Sequence, residues 1–229
     1  GSAKVTVKSD GNVNSLAKRL DQVLDWLEVH EPDVLCLQET KIVDQAFPED
    51  AFHDLGYDVA HVGEPSYNGV AIASREPLDD VLRNLPGDEG DHERRFIAAT
   101  ARGIRIFNVY VPNGQALESE KYAQKLAWLA RLARFLRNDV NPADASIVCG
   151  DFNVTPADVD VWDPEAIRDG LFASRAERRA LVDVLECGYV DAFRATNENA
   201  RAFTWWDYRA GRFERNRGMR IDLVLLGVP

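Results

Sequence analysis

The chain has 229 residues, of which 45% are hydrophobic and 28% are charged, and its formal net charge is −11. This length suffices for a buried core without disulfides, the absence of any run of about 18 apolar residues argues against a membrane protein, and the negative charge argues against a protein that coats nucleic acid non-specifically. The three cysteines have no CxxC spacing, which argues against zinc and a disulfide framework and favours a reducing, intracellular setting.

The first half of the chain alternates strand and helix patterns. KVTVKS predicts a first strand, and leucines at helical spacing predict a helix over residues 15–30, with Pro32 just beyond its end. DVLCLQ is a short continuous apolar run, which is typical of a strand covered on both faces. Further strands are predicted at YDVAHV, GVAIAS, RRFIAAT and IRIFNVYV.

The second half continues the alternation. Residues 119–137 predict an amphipathic helix, SIVCG a strand, and residues 174–188 a third helix, with a capping box from Ser174 to Glu177 and Gly188 as its C-cap. FTWW and RIDLVLL predict the closing strands. Strands interleaved with a few helices predict an α/β fold, a four-layer α/β sandwich in which two packed mixed β-sheets are flanked by helices. Without any repeat, linker or compositional break, we expect one domain over residues 1–229.

Polar residues follow several of the predicted strands. Asp151 and Asn153 come directly after SIVC, and residues two apart on a strand share a face. Taken alone, the GDFN stretch is more typical of an ordinary turn. Other strands end in the same way, however, and the polar residues concerned are Asn12, Asn14, Glu39, Lys41, Tyr110, Asn113 and Asp222. Because an α/β scaffold assembles sites from remote strand ends, the sequence predicts a metal or phosphate site there.

Seven segments together resemble the exonuclease III family of apurinic/apyrimidinic (AP) endonucleases, within the wider endonuclease–exonuclease–phosphatase superfamily. In the family's order, from residue 12 to residue 227, they are NVNSL, DVLCLQETK, GYDVAHVG, NGVAIASR, NVYVPNG, GDFNVTP and FTWWDYRAGRFERNRGMRID. WWDYR followed by NRGMRID is the part most specific to the DNA-repair branch. The resemblance implies a single endonuclease/exonuclease/phosphatase domain, in which GDFN belongs to the site and is more than a turn.

The resemblance also implies the groups that break a phosphodiester. A hard divalent cation, Mg²⁺ with Mn²⁺ as the alternative, would be bound by Glu39 with Asn12 close by, and Asp151 and Asn153 belong to the same metal site. Asp151 would orient or deprotonate the attacking water. Asn153 would donate a hydrogen bond to the phosphate as negative charge develops. Taken alone, Glu39 is more typical of a solvated glutamate at a strand end.

Two further catalytic residues follow from the resemblance. Tyr110 would act beside the phosphate, although a strand aromatic with its hydroxyl at the rim is the plainer interpretation. Asp222 matches the aspartate that orients the family's catalytic histidine.

The resemblance places DNA contacts on both halves of the chain. Asn113 would contact DNA near the cleaved phosphate, and Trp205, Met219 and Ile221 match positions that wall the pocket for an extrahelical abasic sugar. A plain core tryptophan is the alternative for Trp205. The candidate phosphate contacts are Lys41, Arg94, Arg95 and Arg220, each of which is individually more typical of a solvated charge or an intramolecular ion pair.

The sequence departs from the family pattern at two places. Gly11 stands where the family has an aromatic residue before the asparagine, which weakens the alignment of Asn12. The family closes with a strand that bears Ser-Asp-His, whereas here LLGVP follows Asp222 and none of the four histidines matches the catalytic one. We therefore expect a domain that lacks this C-terminal strand, and loss of such a general acid/base costs about 10² to 10⁴ in rate.

The favoured function is a divalent-metal-dependent DNA repair phosphodiesterase that cuts 5′ to abasic sites, with 3′–5′ exonuclease or 3′-phosphodiesterase activity beside it. Its substrate would be double-stranded DNA with abasic sites or damaged 3′ ends, and we expect a monomer in a bacterial cytoplasm, working at the nucleoid and not at a membrane. Two alternatives remain open. One is an abasic-DNA-binding relative impaired in catalysis, and the other is a superfamily phosphoesterase that acts on RNA, a phosphoinositide or a phospholipid.

Overall fold

The computed structural model describes residues 7–206 and 216–228. The chain forms two compact units, each built from two stretches of sequence. Unit one comprises Gly1–Tyr110 and Asp144–Gly150, and unit two comprises Val111–Ala143 and Asp151–Pro229. The prediction of a single domain stays a prediction. No helix in the described part of the chain is both long and apolar enough to cross a membrane.

Among its described residues, unit one contains two α-helices and eight strands. Its elements are β1 (Val7–Asn12), α1 (Leu16–His30), β2 (Val34–Gln38), α2 (Glu49–Asp54), β3 (Asp58–Val62), β4 (Val70–Ser74), β5 (Asp79–Arg83), β6 (Phe96–Ala101), β7 (Ile104–Tyr110) and β8 (Ser146–Asp151). One sheet has the order β1-β2-β4-β3, with β1 parallel to β2 and the other neighbours antiparallel. In the second sheet β5, β6, β7 and β8 follow one another, and β6 pairs antiparallel with both β5 and β7.

The two sheets of unit one pack face to face, with β4 against β6 and β7. The side chain of Asn108 bridges them, since its Nδ2 donates hydrogen bonds of 2.9 Å to the carbonyl oxygens of Leu37 and Ala71. Its Oδ1 accepts a 2.8 Å hydrogen bond from Nε2 of Gln38. Asn108 and Gln38 are fully buried, and buried polar groups with such partners fix one register of the two sheets.

Helix α1 covers the outer face of the first sheet. Leu16, Val23 and Leu27 of the helix share one apolar cluster with Leu35 and Leu37 of β2. The helix ends at Glu31, which takes a left-handed backbone (φ 45°) and precedes Pro32. Every residue of β2 is buried, as expected for a strand covered on both faces.

In the part of unit two that the structure describes there are three α-helices and four short strands. They are α3 (Glu120–Asn138), α4 (Arg175–Leu185), β9 (Tyr189–Asp191), α5 (Ala192–Thr196), β10 (Trp205–Trp206), β11 (Gly218–Met219) and β12 (Asp222–Gly227). Helix α3 packs against α4, β10 pairs antiparallel with β11, and β12 pairs antiparallel with β9. The capping box predicted at α4 is present, because Ser174 Oγ accepts from the backbone N–H of Glu177 and the Glu177 carboxylate accepts from Ser174 in return.

The α/β class, with mixed sheets flanked by helices, is confirmed. The three predicted helices are present, as are the predicted strands; the first three residues of KVTVKS lie outside the described residues. Five short elements, α2, β5, β9, α5 and β11, were not predicted, and none is longer than six residues.

Candidate active site

Glu39 is the centre of a hydrogen-bonded group in unit one. Its Oε1 accepts a 2.6 Å hydrogen bond from the Tyr110 hydroxyl and a 3.1 Å hydrogen bond from Nδ2 of Asn12. Its Oε2 lies 3.5 Å from Nζ of Lys41, and the two side chains are 20% and 29% exposed. We call Asn12, Glu39, Lys41 and Tyr110 the glutamate cluster; it joins the ends of β1, β2 and β7.

The backbone of β1 and β2 explains how Asn12 meets Glu39. The parallel register pairs Asn12 with Gln38, so the asparagine lies beside the residue that follows β2. A Cβ at Gly11 would lie 2.1 Å from the carbonyl oxygen of Cys36, so only glycine permits this approach of the two strands. Gly11, which departs from the family pattern, therefore allows β1 and β2 to pair closely. Asn12 still donates its hydrogen bond to Glu39.

The loop after β2 is conformationally unusual. Glu39 and Lys41 both adopt left-handed backbone angles (φ 54° and 53°), which are uncommon outside glycine and concentrate at functional sites. Nζ of Lys41 donates a 2.6 Å hydrogen bond to Oδ1 of Asn14. The ammonium group is thus held at the cluster while its side chain stays partly exposed, as the predicted phosphate contact requires.

The Tyr110 hydroxyl donates a hydrogen bond directly to the Glu39 carboxylate. Tyr110 is a strand aromatic whose hydroxyl donates to Glu39 at the strand end, and its catalytic role stays a prediction. The Arg95 guanidinium lies 4.8 Å from the centre of the Tyr110 ring, and its Nε donates a 2.7 Å hydrogen bond to Glu93. Arg95 thus has the intramolecular ion pair that was its alternative, and its role as a phosphate contact, like that of Arg94, stays a prediction.

The donors of the glutamate cluster fit a hard divalent cation. Glu39 offers a partly exposed carboxylate whose Oε2 lies 3.5 Å from Nζ of Lys41, and Asn12 adds a carboxamide oxygen. Mg²⁺ prefers oxygen ligands and keeps several waters when one or two carboxylates hold it. Among residues 7–206 and 216–228 no three His, Cys, Asp or Glu side chains converge on a metal position, so the carboxylate count here is low.

In unit two, Asp151, Phe152 and Asn153 form a buried, tightly bonded segment that we call the aspartate loop. Oδ1 of Asp151 accepts a 3.0 Å hydrogen bond from the backbone N–H of Asn153, which has a left-handed backbone (φ 50°). Nδ2 of Asn153 donates a 2.8 Å hydrogen bond to the carbonyl of Val111, and Val111 N–H donates to the Asp151 carbonyl at 2.9 Å. GDFN is thus both the end of β8 and a side-chain-stabilised turn, so the two interpretations do not exclude each other. The metal and catalytic roles of Asp151 and Asn153 stay predictions.

A buried lysine that the sequence analysis missed lies beneath the aspartate loop. Nζ of Lys125 donates hydrogen bonds to the carbonyl oxygens of Asn153 (2.6 Å) and Asn113 (3.2 Å) and forms an ion pair with Glu177. Both side chains of the pair are fully buried. Burial lowers the pKa of Lys125, while the charges of Glu177 and Asp151 act in the opposite direction. The sequence carried one signal for it: Lys125 shares the i, i+3, i+4 stripe of α3 with Trp128 and Leu129.

The three predicted pocket residues fall into two groups. Trp205 on β10 is 41% exposed, so its plain interpretation as a core tryptophan is wrong. It pairs with Met219 on β11, which is buried with Ile221 in one apolar cluster with Val161. The DYR part of the WWDYR motif lies outside the described residues. The role of these residues in binding an abasic sugar stays a prediction.

Arg220 corrects a prediction. Its side chain is 3% exposed, with Nε 2.7 Å from Oδ1 of Asp160 and Nη2 2.6 Å from Oδ2 of Asp191. Burial alone would lower the pKa of Arg220, but hydrogen bonds from the guanidinium to Asp191 and Asp160 raise it. A guanidinium enclosed between two carboxylates does not contact a DNA phosphate, so that assignment is wrong. Arg194 donates to the same oxygen of Asp160 at 2.6 Å, which extends the buried network.

Asp222 and Asn113 lie at strand ends as expected. The backbone N–H of Asp222 donates a 3.1 Å hydrogen bond to Oγ1 of Thr204, and the residue is half-buried at the start of β12. Asn113 is exposed, and its Oδ1 accepts a 3.1 Å hydrogen bond from the backbone N–H of Gln115. Their catalytic and DNA-binding roles stay predictions.

Tyr67 is a candidate contact that the sequence analysis missed. Its side chain is 70% exposed, on a loop whose Asn68 carbonyl accepts a 2.8 Å hydrogen bond from the backbone N–H of Lys41. An exposed aromatic side chain is a group on which the bases of a nucleic-acid strand stack. Nothing in the SYNG stretch distinguishes it from an ordinary loop tyrosine.

The histidines do not supply the group that the family places on its last strand. His61 lies between two carboxylates, with Nδ1 2.7 Å from Asp44 and Nε2 2.5 Å from Glu49, and its ring stacks on Phe47. The His30 ring stacks on Trp26, His53 lies on α2, and His92 is exposed.

Comparisons with known proteins identify the family of the chain. Residues 11–227 match the model of the Endonuclease/Exonuclease/phosphatase family. The chain is 34% identical over 227 residues to "Exodeoxyribonuclease III" of Haemophilus influenzae, which covers 94% of this chain and 85% of that protein. An AP endonuclease structure from Archaeoglobus fulgidus is 41% identical with a TM-score of 0.94, covering 98% of this chain and 87% of that one. The structure of the 3′ phosphatase NExo from Neisseria bound to a product DNA hairpin is 39% identical with a TM-score of 0.93, covering 99% and 87%.

Proposed function

This chain belongs to the endonuclease/exonuclease/phosphatase family, and we propose that it is a divalent-metal-dependent DNA repair phosphodiesterase that cuts the backbone 5′ to abasic sites. The observation that carries the proposal is the Glu39 carboxylate, which Asn12 and Tyr110 hold in place on a partly exposed surface. The relatives named exodeoxyribonuclease III and AP endonuclease supply the substrate class.

Enzymes of this family depend on a divalent metal ion, and we assign Mg²⁺ to this chain, with Mn²⁺ as the alternative. Glu39 and Asn12 would hold the ion, which would polarise the phosphate when bound. Tyr110 and Asn12 fix the carboxylate, because each donates a hydrogen bond to its Oε1. Lys41 adds positive charge at the other carboxylate oxygen, where a DNA phosphate also needs it.

The aspartate loop would supply the remaining groups. Asp151 accepts the proton of the attacking water, and its carboxylate is held in place by the Asn153 backbone N–H. The carboxamide of Asn153 has two N–H donors, of which one binds the Val111 carbonyl. The other donates to the phosphate oxygen as negative charge develops.

Selectivity for an abasic site would come from the β10–β11 region. An abasic nucleotide has lost its stacking and pairing, so turning it out of the duplex costs little. Trp205, with an exposed ring beside buried Met219, offers an apolar wall for the bare sugar.

A second activity, removal of blocking groups from 3′ ends, has its own support. The NExo neighbour is named a 3′ phosphatase and covers 99% of this chain. Both reactions break a phosphoester bond with the same kind of groups, so one site serves both substrates.

The test is incision of an end-labelled duplex with a single abasic site, in Mg²⁺, in Mn²⁺ and in EDTA. A 3′-phosphate duplex, undamaged DNA, RNA and a phosphoinositide headgroup form the substrate panel, and Glu39→Gln and Asp151→Asn are the inactive controls. Metal-dependent nicking 5′ to the abasic site, stronger than on any other substrate, is the expected result. Preference for RNA or the headgroup overturns the DNA assignment.

Tight binding of abasic DNA without cutting favours the binding alternative. Because the chain spans 85% of the length of its Haemophilus relative, the assay includes a form extended by a Ser-Asp-His segment after Pro229. Nicking that appears only in the extended form supports the nuclease, and binding without nicking by both forms rejects it.

A further inference from the structure

Lys125 has a role that the reaction chemistry does not assign. We propose that it is a positioning residue, whose ammonium group holds the Asn113 loop and the aspartate loop in one fixed arrangement. The proposal rests on the proposed function for its catalytic consequence, but its structural part is independent of that function.

The geometry is that of a tripod. A lysine ammonium has three N–H donors, and here three acceptors surround it: the carbonyls of Asn153 (2.6 Å) and Asn113 (3.2 Å) and the Glu177 carboxylate. Each carbonyl belongs to a residue whose side chain is a candidate for contacting the phosphate or the DNA near it. One side chain thus sets the backbone of two candidate site residues.

The residues around Lys125 and Glu177 hold both side chains in place. Lys125 is fully buried, and a Cβ at Gly114 (φ 92°) would lie 3.1 Å from its Cδ, so the chain passes close over the lysine stem. Glu177 is fixed as well, since its Oε1 accepts a 2.8 Å hydrogen bond from the Ser174 hydroxyl and its Oε2 a 3.1 Å hydrogen bond from the Phe172 backbone N–H. The capping box of α4 therefore anchors the carboxylate that anchors the lysine.

Helix packing alone does not explain this pair. The same stripe of α3 carries Trp128, Leu129 and Leu132, and an apolar pair in place of Lys125 and Glu177 generally packs as well as a buried ion pair or better. An apolar side chain cannot, however, donate hydrogen bonds to two loop carbonyls. The pair is thus best explained by the carbonyls it binds.

The test compares Glu177→Gln with Lys125→Met/Glu177→Gln. Glutamine at 177 has one acceptor oxygen instead of two, so when that oxygen accepts from Lys125 its amide nitrogen faces Ser174 and the bond from the Ser174 backbone N–H is lost. Ser174 Oγ still caps α4, and the ammonium group keeps an acceptor but has no counter-charge. We therefore expect this single variant to melt at a lower temperature and to keep the parent kcat. The double variant has no buried charge left, so we expect it to regain stability and yet to lose kcat by about 10- to 100-fold, because small misplacement of reacting groups has effects of that size.

The decisive result is that the double variant should melt at a higher temperature than Glu177→Gln and yet have a lower kcat. A merely structural role makes kcat follow the melting temperature, and that result overturns the proposal. In an Asn113→Ala/Asn153→Gly background, which lacks both side chains that Lys125 positions and in which glycine tolerates the left-handed backbone at 153, the double change should reduce kcat by less than twofold further. A full additional loss in that background also overturns it.

Hydrogen–deuterium exchange separates this proposal from the function itself. Peptides that cover residues 111–115 and 151–155 should exchange about tenfold faster in the double variant than in Glu177→Gln, while α1 is unchanged. Unchanged exchange in both peptides rejects the positioning role. If the parent chain cuts no DNA, the proposed function fails, and the exchange result still decides the role of Lys125.

Discussion

The glutamate cluster and the Lys125 tripod each pair one lysine with one glutamate, and they use the pair in opposite ways. Lys41 and Glu39 lie 3.5 Å apart and are 29% and 20% exposed, whereas Lys125 and Glu177 are in direct contact with no exposure. The exposed pair leaves charge that a metal ion or a phosphate can reach. The charges of the buried pair are neutralised within the protein, and the Lys125 ammonium group also binds the carbonyl oxygens of two loops.

Burial explains the difference in energetic terms. Water and salt screen the charges of an exposed pair, so it adds little to stability, and its partners exchange for ligands at small cost. A buried pair is costly to form and far more costly to break by removing one partner. A lysine and a glutamate are therefore available to bind ligands in unit one, whereas in unit two the same residue types support the protein structure.

The largest expected effect is on stability at the buried pair. Lys125→Met should lower the free energy of unfolding by about 3–5 kcal/mol, because it leaves the Glu177 carboxylate buried without a counter-charge. Lys41→Met is the matched control, and it should change stability by about 1 kcal/mol or less, as is usual for exposed pairs. Urea denaturation of both variants measures this, and equal losses contradict the contrast between the two pairs.

Glu39→Gln tests the exposed pair through activity. Glutamine keeps the size of the side chain but removes the charge that would hold a divalent ion, so incision should fall by about 10²- to 10³-fold, a loss typical of removing one charge-stabilising group. Stabilisation of the parent by Mg²⁺, measured as a shift in melting temperature, should disappear with it. Glu28→Gln, at an exposed position near the C-terminal end of α1 in the same unit, should retain both properties. Full activity in Glu39→Gln contradicts the assignment.

Trp205→Ala tests selectivity. If the exposed indole forms a wall for the abasic sugar, its loss should reduce the preference for abasic over undamaged duplex by about 10-fold, within the range for stacking contacts of 1–3 kcal/mol. Trp206→Phe serves as the control, because the Trp206 Nε1–H donates to Asn216 within the hairpin and the ring is less exposed. An unchanged preference in Trp205→Ala shows that the pocket is elsewhere.

The sequence predicted the elements with strong periodicity and the polar residues at their ends. Leucine spacing was sufficient for α1 and α3, and the continuous apolar run was sufficient for β2. The meeting of Asn12 and Glu39 follows from the parallel register of β1 and β2, whereas Tyr110 ends a strand of the other sheet and was placed beside them by the resemblance. Short elements such as β11, with two residues, contain no periodic window to recognise.

The sequence could not show which carboxylates neutralise the buried charges. Lys125 in SEKYAQKLAWL lies on the buried stripe of α3, but its partner Glu177 is 52 residues away. Arg220 in NRGMRID resembles a phosphate contact, and Asp160, which neutralises it, is 60 residues away. Only the tertiary structure brings such partners together, so a charge's role depends on burial that a local pattern does not encode.

The smallest expected effect sharpens the comparison between exposed and buried cations on DNA. Each phosphate that a protein neutralises contributes about 0.9 to the slope of log K against log salt concentration. Lys41→Gln should therefore lower that slope by about 1, whereas Arg220→Gln, which removes a guanidinium enclosed by Asp160 and Asp191, should leave it as in the parent. Fluorescence anisotropy with an abasic duplex across a salt series, at a temperature where both variants are folded, measures the two slopes. An equal decrease in both means that Arg220 reaches a phosphate after all, and its burial between carboxylates then describes only the DNA-free state.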